Sequence, residues 1–286
     1  MELIRTIPEA RCAIAGAKLA ARSVGLVPTM GALHEGHASL IRQCRRECAF
    51  TVVSVFVNPT QFGPHEDLAA YPRTLDADAA LCRELGADVV FAPNAQEMYP
   101  REQLAWVNVE RLGEHLCGAT RPGHFRGVCT VVLKLFNALT PDRAYFGEKD
   151  FQQLAILTRM AGDLNVPVQI VPCPTVRESD GLAISSRNRY LSDDQRRQAP
   201  SLYKALTHAR EMVRHGQTDA QAILEAVRQI VEAHPDASVD YISLVDKELL
   251  QPLARVDRPG VLAMAVRLGP ARLIDNISVD PPVAMK

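Results

Sequence analysis

FTVVSVFV, at residues 50–57, is the clearest secondary-structure signal in this 286-residue chain. Its β-branched and aromatic residues favour a strand, and the apolar run is too continuous for a strand with one side facing solvent. Such a run is typical of a strand that is buried on both faces of a parallel sheet. Shorter apolar runs of the same kind lie at residues 26–27, 89–91, 144–146 and 168–171.

Helix-like segments alternate with these strands along the first half of the chain. Gly86 is typical of a helix C-terminus, and Pro93-Asn94 is typical of a turn after a strand. The regular alternation of strand and helix predicts the α/β class, with a Rossmann-like doubly wound parallel sheet. The predicted helices span residues 38–49, 76–85, 127–139 and 150–164.

The pattern changes at residues 172–174, where two prolines bracket one cysteine. Beyond this point, capping residues predict helices over about residues 192–215 and 218–234. Residues 239–245 alternate like a half-buried strand. We therefore expect two domains, a Rossmann-like domain at residues 1–176 and a smaller C-terminal α+β domain at residues 177–286.

Charge and hydropathy exclude several classes of protein. The 32 Lys and Arg residues nearly balance 33 Asp and Glu, giving a net charge of -1, and 47% of the residues are hydrophobic. This composition is typical of a folded protein and lacks the basic excess of nucleic-acid-binding proteins. Apolar stretches fall short of the roughly 20 residues of a membrane-spanning helix, and residues 1–12 lack the apolar core of a secretory signal. We expect a cytoplasmic protein with a small substrate and neither nucleic-acid nor membrane partners.

The 7 cysteines follow no metal-binding or disulfide pattern. Their number is odd, and the sequence contains no Cys-x-x-Cys and no Cys/His cluster at zinc-like spacing. Cys44 and Cys48 share one face of a predicted helix, but no further ligands lie near them in the sequence. We expect most cysteines to be reduced packing residues, and we assign no residue as a metal ligand.

VPTMGALHEGH, at residues 27–37, joins the first of these predicted strands to a helix. Ligands of open α/β sheets bind outside the carboxyl ends of the strands, where a helix N-terminus offers unpaired N–H groups to a phosphate. Gly31 and Gly36 allow a close approach of the backbone. His34 and His37 share one face of the first helical turn, where imidazole N–H groups reach phosphate oxygens. The alternative is an ordinary surface turn, which the position between a strand and a helix disfavours.

Two further clusters have the same character. FGEKD, at residues 146–150, repeats the order strand, glycine turn and helix, with Lys149 as a cation for phosphate and Asp150 as a helix cap or ribose ligand. ISSRN, at residues 184–188, lies on a polar stretch where a mobile loop would close hydroxyls and a guanidinium over a polyphosphate. The alternative there is a turn with a solvated arginine. The three clusters together predict a nucleotide site.

HEGH, at residues 34–37, resembles the HIGH signature of the nucleotidylyltransferase and class I aminoacyl-tRNA synthetase superfamily, and ISSRN resembles its KMSKS-type loop. A longer series of motifs resembles the pantothenate synthetase family, strongly over residues 1–195. Ile184 departs from the methionine expected in many relatives, an apolar exchange of little consequence. The motifs are PTMGALHEGH (28–37), VNPTQF (57–62), YPRT (71–74), RPGHFRGV (121–128), FGEKDFQQL (146–154) and RESDGLAISSRNRYL (177–191).

The resemblance implies an ATP-dependent ligase. Members of that family join (R)-pantoate to β-alanine and release pantothenate, AMP and pyrophosphate, through a pantoyl adenylate intermediate. ATP is then a substrate that brings Mg²⁺ with it, and the remaining partners are pantoate and β-alanine. The family also implies a homodimer and a C-terminal domain that acts as a lid.

The resemblance assigns site residues by their positions in these motifs. Neutral amides suit pantoate, because they orient its hydroxyls and carboxylate without trapping the carboxylate in a salt bridge. The catalytic set comprises His34, His37 as the proton donor, Lys149 and Arg187. The pantoate and β-alanine set comprises Asn58, Gln61 and Gln153. The ATP set comprises Met30, Gly31, Ala32, Leu33, His34, Glu35, Gly36, His37, Gly147, Glu148, Lys149, Asp150, Val176, Ile184, Ser185, Ser186 and Arg187.

Several alternatives stay open at this point. Asp76 and Asp78 are the acidic pair to consider as Mg²⁺ ligands, but they are more typical of the start of an amphipathic helix. Another nucleotidylyltransferase of the same fold would use a phosphate acceptor, for which Arg or Lys would suit the positions of Gln61 and Gln153 better. A nucleotide-sensing or RNA-binding module without activity is the third possibility, and the balanced charge counts against it.

Overall fold

The computed structural model describes residues 1–64, 66 and 68–282. Two compact units are present. The first comprises Met1–Val109, Arg121–Glu148 and Ile156–Pro174, and the second comprises Glu110–Thr120, Lys149–Ala155 and the chain from Thr175 onward.

A six-stranded parallel sheet forms the centre of the first unit. Its strands are β1 (Glu2–Ile4), β2 (Val24–Thr29), β3 (Phe50–Val55), β4 (Val89–Phe91), β5 (Arg143–Gly147) and β6 (Gln169–Cys173). Their spatial order is β1-β4-β3-β2-β5-β6, so the direction of winding reverses between β2 and β5. In open α/β sheets, ligands bind at the carboxyl ends of the strands beside such a reversal.

Ten α-helices occur among the described residues. Those of the first unit connect the strands, and α7 begins in the second unit and ends in the first. The helices are α1 (Ile7–Leu19), α2 (Glu35–Glu47), α3 (Leu75–Glu84), α4 (Ala95–Met98), α5 (Cys117–Thr120), α6 (His124–Leu139), α7 (Phe151–Asp163), α8 (Asp193–Gln198), α9 (Ser201–Arg214) and α10 (Ala220–Glu232). Within the described residues, no helix is both long and apolar enough to cross a membrane.

The prediction of a doubly wound parallel sheet is confirmed. Val27, Val53 and Val90, at the centres of β2, β3 and β4, have no solvent exposure, and they pack with Ile41 of α2. Burial of each such side chain stabilises the fold by roughly 1.5–3 kcal/mol before the loss of conformational entropy is counted. The continuous apolar runs therefore form strands because both faces of the sheet are covered.

Close packing joins the C-terminal half of α2 to strand β2. A methyl group on Gly25 would lie 2.3 Å from Cys44 Sγ and 2.9 Å from Cys48 Sγ, so the helix lies directly against the strand. Both thiols are buried, with Cys44 Sγ 3.3 Å from Thr51 Oγ1 and Cys48 Sγ 3.3 Å from the Tyr145 hydroxyl. The shared helix face of these cysteines is therefore a packing surface.

The second unit combines helices with an antiparallel sheet of strands β7 (Ala237–Asp246), β8 (Gly260–Leu268) and β9 (Ala271–Val279), in that order. Its core includes Leu206 of α9, Val227 of α10 and Met264 of β8, all without solvent exposure. The smaller α+β fold predicted for the C-terminal region is confirmed.

One helix prediction in this unit is wrong. The helix expected over residues 192–215 is divided into α8, which ends at Gln198, and α9, which begins at Ser201. Pro200 lies between them, and proline has no N–H group to continue the helical hydrogen bonds. The side chain of Ser192 caps α8 by accepting from the Gln195 N–H, as the sequence predicts.

Candidate active site

The turn after β2 holds an unusual backbone conformation. Gly31 and Ala32 have φ values of 84° and 50°, in the left-handed region that favours glycine. The Gly31 N–H donates to Thr29 Oγ1 at 3.2 Å, and that hydroxyl donates to Ser54 O on the neighbouring strand at 2.7 Å. A methyl group on Gly31 would lie 3.0 Å from Asp78 Oδ2. The backbone conformation therefore favours glycine at this position, and little space is left for a side chain.

The carboxylate of Asp78 binds the same turn from α3. Its Oδ2 accepts from the Ala32 N–H at 3.1 Å, and its Oδ1 accepts from the Leu33 N–H at 2.8 Å. Thr74 Oγ1 also donates to Oδ2 at 3.2 Å. The sequence pattern explains Asp78 by the start of a helix and does not indicate this contact, because the two segments lie far apart in the chain.

His34 and His37 form a reciprocal cap at the N-terminus of α2. Nδ1 of His34 accepts from the Gly36 N–H at 3.1 Å, and Nδ1 of His37 accepts from the His34 N–H at 3.3 Å. The two rings are 4.1 Å apart between centroids. A neutral imidazole that accepts at Nδ1 carries its proton on Nε2, so both rings have the Nε2–H tautomer.

Five backbone N–H groups of this turn are thus already paired. Those of Gly31, Ala32, Leu33, His34 and Gly36 donate to side chains of the same unit. The position at a helix N-terminus predicts unpaired N–H groups here, and the structure differs because side-chain acceptors fold back onto the turn. Glu35, exposed on the first turn of α2, pairs with Arg42, whose hydrogen bond holds the pKa of the Glu35 carboxyl below its ordinary value.

Asn58, Gln61 and Met30 lie together in the first unit. Asn58 begins a short 3-10 turn at Pro59–Gln61, and its amide nitrogen donates to Gln61 Oε1 at 3.0 Å and to Gly127 O at 3.3 Å. The Gln61 amide nitrogen lies 3.2 Å from Met30 Sδ. Both amide residues are buried, with 1% exposure for Asn58 and 8% for Gln61. The structure therefore brings two residues of the predicted substrate set beside the first residue of the predicted ATP set.

A series of polar contacts, from Glu66 through Arg121 and His124, ends at the backbone carbonyl of Gln61. His124 Nδ1 lies 2.8 Å from Gln61 O, which as a carbonyl accepts, so Nδ1 carries the proton. Arg121 Nη1 lies 3.0 Å from His124 Nε2, and the same guanidinium binds Glu66 through two bonds of 2.7 Å. Burial raises the pKa of Glu66, but the hydrogen bonds and charge of Arg121 outweigh it, and the net pKa is lowered. Arg121 and His124 belong to the RPGHF motif, whose sequence alone assigns them no role.

The remaining predicted residues belong to the second unit, except Gly147 and Glu148, which belong to the first. Lys149, in the 3-10 turn Glu148–Asp150 after β5, has a pKa that burial lowers, while the carboxylates of Asp150 and Asp275 oppose the shift. The Lys149 carbonyl accepts from the Asn276 amide at 3.0 Å. Gly147 ends β5, and Gln153 is half-buried on α7.

An ion pair that the sequence pattern does not predict lies near Lys149. Arg177 binds the buried carboxylate of Asp275 through bonds of 2.6 and 2.8 Å, and its guanidinium stacks 3.8 Å from the centre of the Tyr203 ring. Arg187 and Arg177 both act with burial to lower the pKa of Lys149. Positive charge is therefore concentrated here, and Asp275 partly balances it.

Residues 176–188 form a compact turn within the second unit. The Ile184 N–H donates to Val176 O at 3.0 Å, which places two residues of the predicted ATP set side by side. Ser185 Oγ accepts from the Arg187 N–H at 3.3 Å and begins the 3-10 turn Ser186–Tyr190. The Asn188 amide donates to Ala183 O at 3.2 Å. Side chains thus order the segment that was predicted as a loop.

The acidic residues near the turn do not form a ready magnesium site. Both oxygens of Asp78 already accept hydrogen bonds, and Asp76 is exposed on α3. In the part of the chain that the structure describes, no three His, Cys, Asp or Glu side chains are arranged to hold a metal ion. These residues do not fit a dedicated protein cage for Mg²⁺.

Comparison with known proteins gives consistent matches over the whole chain. The family profile described as Pantoate-beta-alanine ligase matches residues 2–278. A pantothenate synthetase of Moorella thermoacetica is 50% identical over 280 residues, covering 98% of this chain and 99% of that protein. A pantothenate synthetase of Syntrophotalea carbinolica is 52% identical over 276 residues, covering 96% and 98%.

Two solved structures are similar to the whole chain. The pantothenate synthetase from Thermus thermophilus has a TM-score of 0.93 at 48% identity and covers 98% of this chain and 100% of that one. The pantoate-beta-alanine ligase from Francisella tularensis, complexed with beta-gamma ATP and beta-alanine, has a TM-score of 0.79 at 32% identity and covers 97% of each chain.

Proposed function

This chain belongs to the pantoate–β-alanine ligase family and performs the ATP-dependent condensation of pantoate with β-alanine, and we propose that it does so in two steps. In the first step, a pantoate carboxylate oxygen attacks the α-phosphorus of ATP, and pyrophosphate leaves. In the second, the β-alanine amine attacks the carbonyl carbon of pantoyl adenylate, loses a proton, and AMP leaves. The supporting observation is the histidine pair at the carboxyl end of β2, beside the reversal of the sheet.

Activation as an adenylate solves a specific chemical problem. The oxide of a free carboxylate is a very poor leaving group, whereas AMP leaves readily from a mixed anhydride. The first step joins two anions, so cationic and N–H donors must screen the attack. Loss of one such preorganised donor typically slows a reaction about 10²–10³-fold.

His34 and His37 supply donors to the triphosphate in this proposal. Their Nδ1 atoms accept hydrogen bonds from the N–H groups of Gly36 and His34, and a phosphate oxygen would accept from the same groups. A phosphate oxygen carries charge and is a stronger acceptor than a neutral imidazole nitrogen. ATP would therefore displace the rings from these N–H groups, and the imidazoles would turn to donate to the phosphates, with His37 as the proton donor.

Gln61 and Asn58 bind pantoate in this proposal, with Gln153 as a further amide. The Gln61 amide nitrogen faces a weak sulfur acceptor, Met30 Sδ, which a pantoate oxygen would replace. A neutral amide orients the carboxylate without reducing its nucleophilicity by ion pairing. Both buried amides are held by hydrogen bonds, so little further ordering is needed on binding.

We assign Lys149 and Arg187 to the binding of the departing pyrophosphate, because both side chains are positively charged. Burial weakens the hydration of the Lys149 ammonium, which strengthens its attraction to a phosphate. Ser185 and Ser186 add hydroxyls to this set. As the resemblance implies, we assign adenine to the backbone of Val176 and the ribose and phosphates to Gly147, Lys149 and Asp150. Glu148 and Ile184 belong to the ATP set without a more specific role, and residues 177–286 act as a lid.

Magnesium, location and assembly complete the proposal. Mg²⁺ enters with ATP and keeps mainly phosphate and water ligands, as this ion prefers, and no step is assigned to it. We further propose a cytoplasmic homodimer without nucleic-acid or membrane partners. Light scattering of the purified protein tests the dimer, and a monomeric mass at micromolar concentration would contradict it.

An assay of the separate steps tests the proposed function. With ATP and pantoate alone, the enzyme should release about one equivalent of pyrophosphate and retain the adenylate, and β-alanine should then trigger AMP release. Omission of pantoate should abolish both signals. A stable nucleotidyl product that β-alanine does not consume would instead support a nucleotidylyltransferase with another acceptor.

A further inference from the structure

We propose that Asp78 is a positioning residue for the adenylation step. Its carboxylate fixes the turn at residues 31–33, and through that turn it sets the places of His34 and His37. The inference rests on the proposed function, because those histidines matter only if they bind the phosphates of ATP. Asp78 is assigned no contact with a substrate.

The hydrogen bonds of Asp78 hold the turn at residues 31–33. The residue is 3% exposed, and its two oxygens accept from the N–H groups of Ala32 and Leu33. Thr74, the residue directly before α3, donates its hydroxyl to Oδ2 at 3.2 Å and so fixes the carboxylate. Hydrogen bonds to an ionised group are stronger than those between neutral groups. Asp78 therefore fastens the turn to α3 by its backbone.

The turn needs this support because its conformation is unfavourable. Ala32 has φ 50°, where the Cβ atom of an L-residue crowds its own backbone. The hydroxyl of Thr29 supports the turn at the N–H of Gly31, one residue earlier. Without the carboxylate, the N–H groups of Ala32 and Leu33 would lose their acceptors inside the unit, and the turn would relax to a less strained conformation.

A relaxed turn would redirect the histidines. His34 follows Leu33 directly and is the cap of α2, while the other end of α2 lies against Gly25. The helix is thus held at its C-terminal half, and the turn fixes its N-terminal residue. A change at residues 32 and 33 would therefore change the direction of the His34 side chain and the His34–His37 pairing.

Asp78→Asn tests the inference, because an amide preserves the size of the side chain but removes its charge and one acceptor. The first step is followed as pyrophosphate release from ATP and pantoate, and the second as AMP release from supplied pantoyl adenylate and β-alanine. We expect the first step to slow about tenfold or more and the second less than about threefold, because the second does not use the triphosphate. Backbone hydrogen exchange at residues 31–34 should also accelerate.

Asp88→Asn is the matched control. Asp88 also accepts a backbone N–H, from Thr51 at 2.8 Å, and it pairs with Arg22 and Arg45, but it precedes β4 at the amino edge of the sheet. This variant should lose stability without changing the ratio of the two step rates. Thr74→Val is the milder variant if Asp78→Asn fails to fold, and we expect it to slow the first step selectively by about two- to fivefold.

Four results would contradict the positioning role of Asp78 or the proposed function beneath it. Equal slowing of both steps in Asp78→Asn, or an unchanged ratio in Thr74→Val when Asp78→Asn is unfolded, would overturn the positioning role. Full recovery of the first step at raised Mg²⁺ would overturn it in favour of a metal-binding role. If the unaltered enzyme releases no pyrophosphate until β-alanine is added, the proposed two-step function itself fails, and the inference fails with it.

Discussion

The Asn58 amide nitrogen donates to Gln61 Oε1 at 3.0 Å, and this bond fixes the orientation of the Gln61 amide. Because Oε1 is occupied, Nε2 is directed to Met30 Sδ. The hydroxyl of Tyr99 donates to Asn58 Oδ1 at 2.8 Å and fixes Asn58 in turn. The Gln61 amide nitrogen is therefore a buried hydrogen-bond donor with a defined direction, next to the turn after β2.

Gln61→Ala should raise the pantoate KM by about 10–100-fold, as expected for loss of a hydrogen bond to a carboxylate. The ATP KM should change less than about twofold, because the amide is assigned to pantoate alone. Gln61→Glu should weaken pantoate further by charge repulsion, and Gln229→Ala, at an exposed position of α10, is the control. Equal changes in both KM values, measured by initial rates, would contradict the assignment.

His37→Ala should slow pyrophosphate release from ATP and pantoate by about 10²-fold or more. The substitution also removes the acceptor of the His34 N–H, which costs about 0.5–2 kcal/mol of stability as for other helix caps. Rapid-quench measurement of pyrophosphate tests the rate, and thermal melting tests the fold. His208→Ala, exposed on α9, should leave both unchanged. Near-normal pyrophosphate release by a folded His37→Ala would refute its role.

Gly127→Ala should displace the turn that carries Gln61. A methyl group there would lie 2.3 Å from Thr60 O and 2.8 Å from Gln61 Cα, so the backbone has to move. We expect a loss of about 1–3 kcal/mol of stability and a raised pantoate KM. Gly16→Ala is the control, because nothing lies within 4 Å of its added methyl group on α1, and it should stabilise by about 0.5–1 kcal/mol. Unfolding curves that rank the two variants in the reverse order would contradict the packing.

Stability should fall as the pH rises above about 9. Burial raises the pKa of Cys44, Cys82, Cys129 and Cys173 to about 12, whereas an unfolded thiol has a pKa of about 8.5. At pH values between these two pKa values, the unfolded chain releases thiol protons that the folded chain keeps. Each buried thiol therefore lowers the free energy of unfolding by about 1 kcal/mol per pH unit.

Thermal melting between pH 7 and pH 10.5 measures this effect. Cys82→Ala should reduce the slope of melting temperature against pH, while Cys12→Ala should not, because Cys12 is exposed and the other six cysteines are buried. A slope that is identical in both variants and the unaltered protein would show that the buried thiols do not contribute.

Local patterns in the sequence predicted most of the sheet and its helices. The runs that became β3 and β4 are buried on both faces, and burial of this kind leaves a continuous apolar signal. Strand β1 gave no such signal, because only Ile4 of its three residues is buried. Proline has no N–H group, which explains the helix break at Pro200. The capping residues and the apolar spacing on both sides of Pro200 nevertheless favoured one continuous helix in the prediction.

The site was less predictable because its contacts join distant parts of the chain. The histidine motif identified one residue group from local sequence alone. The bond from Leu33 to Asp78 and the pair between Arg177 and Asp275 span 45 and 98 residues, and no local pattern predicts such a distance. The pairing of backbone N–H groups with histidine side chains also depends on rotamers, which spacing in the sequence does not determine.

The tight fit of Gly25 against Cys44 and Cys48 has a dynamic consequence. A helix packed closely against a strand at one end has little room to slide, and Asp78 holds the turn at its other end, so the imidazole rings adjust mainly by rotation about their side-chain torsions. Rotamer changes of partly exposed side chains take picoseconds to nanoseconds, far faster than displacement of a helix. Rotation of the histidine rings would then be too fast to limit nucleotide capture.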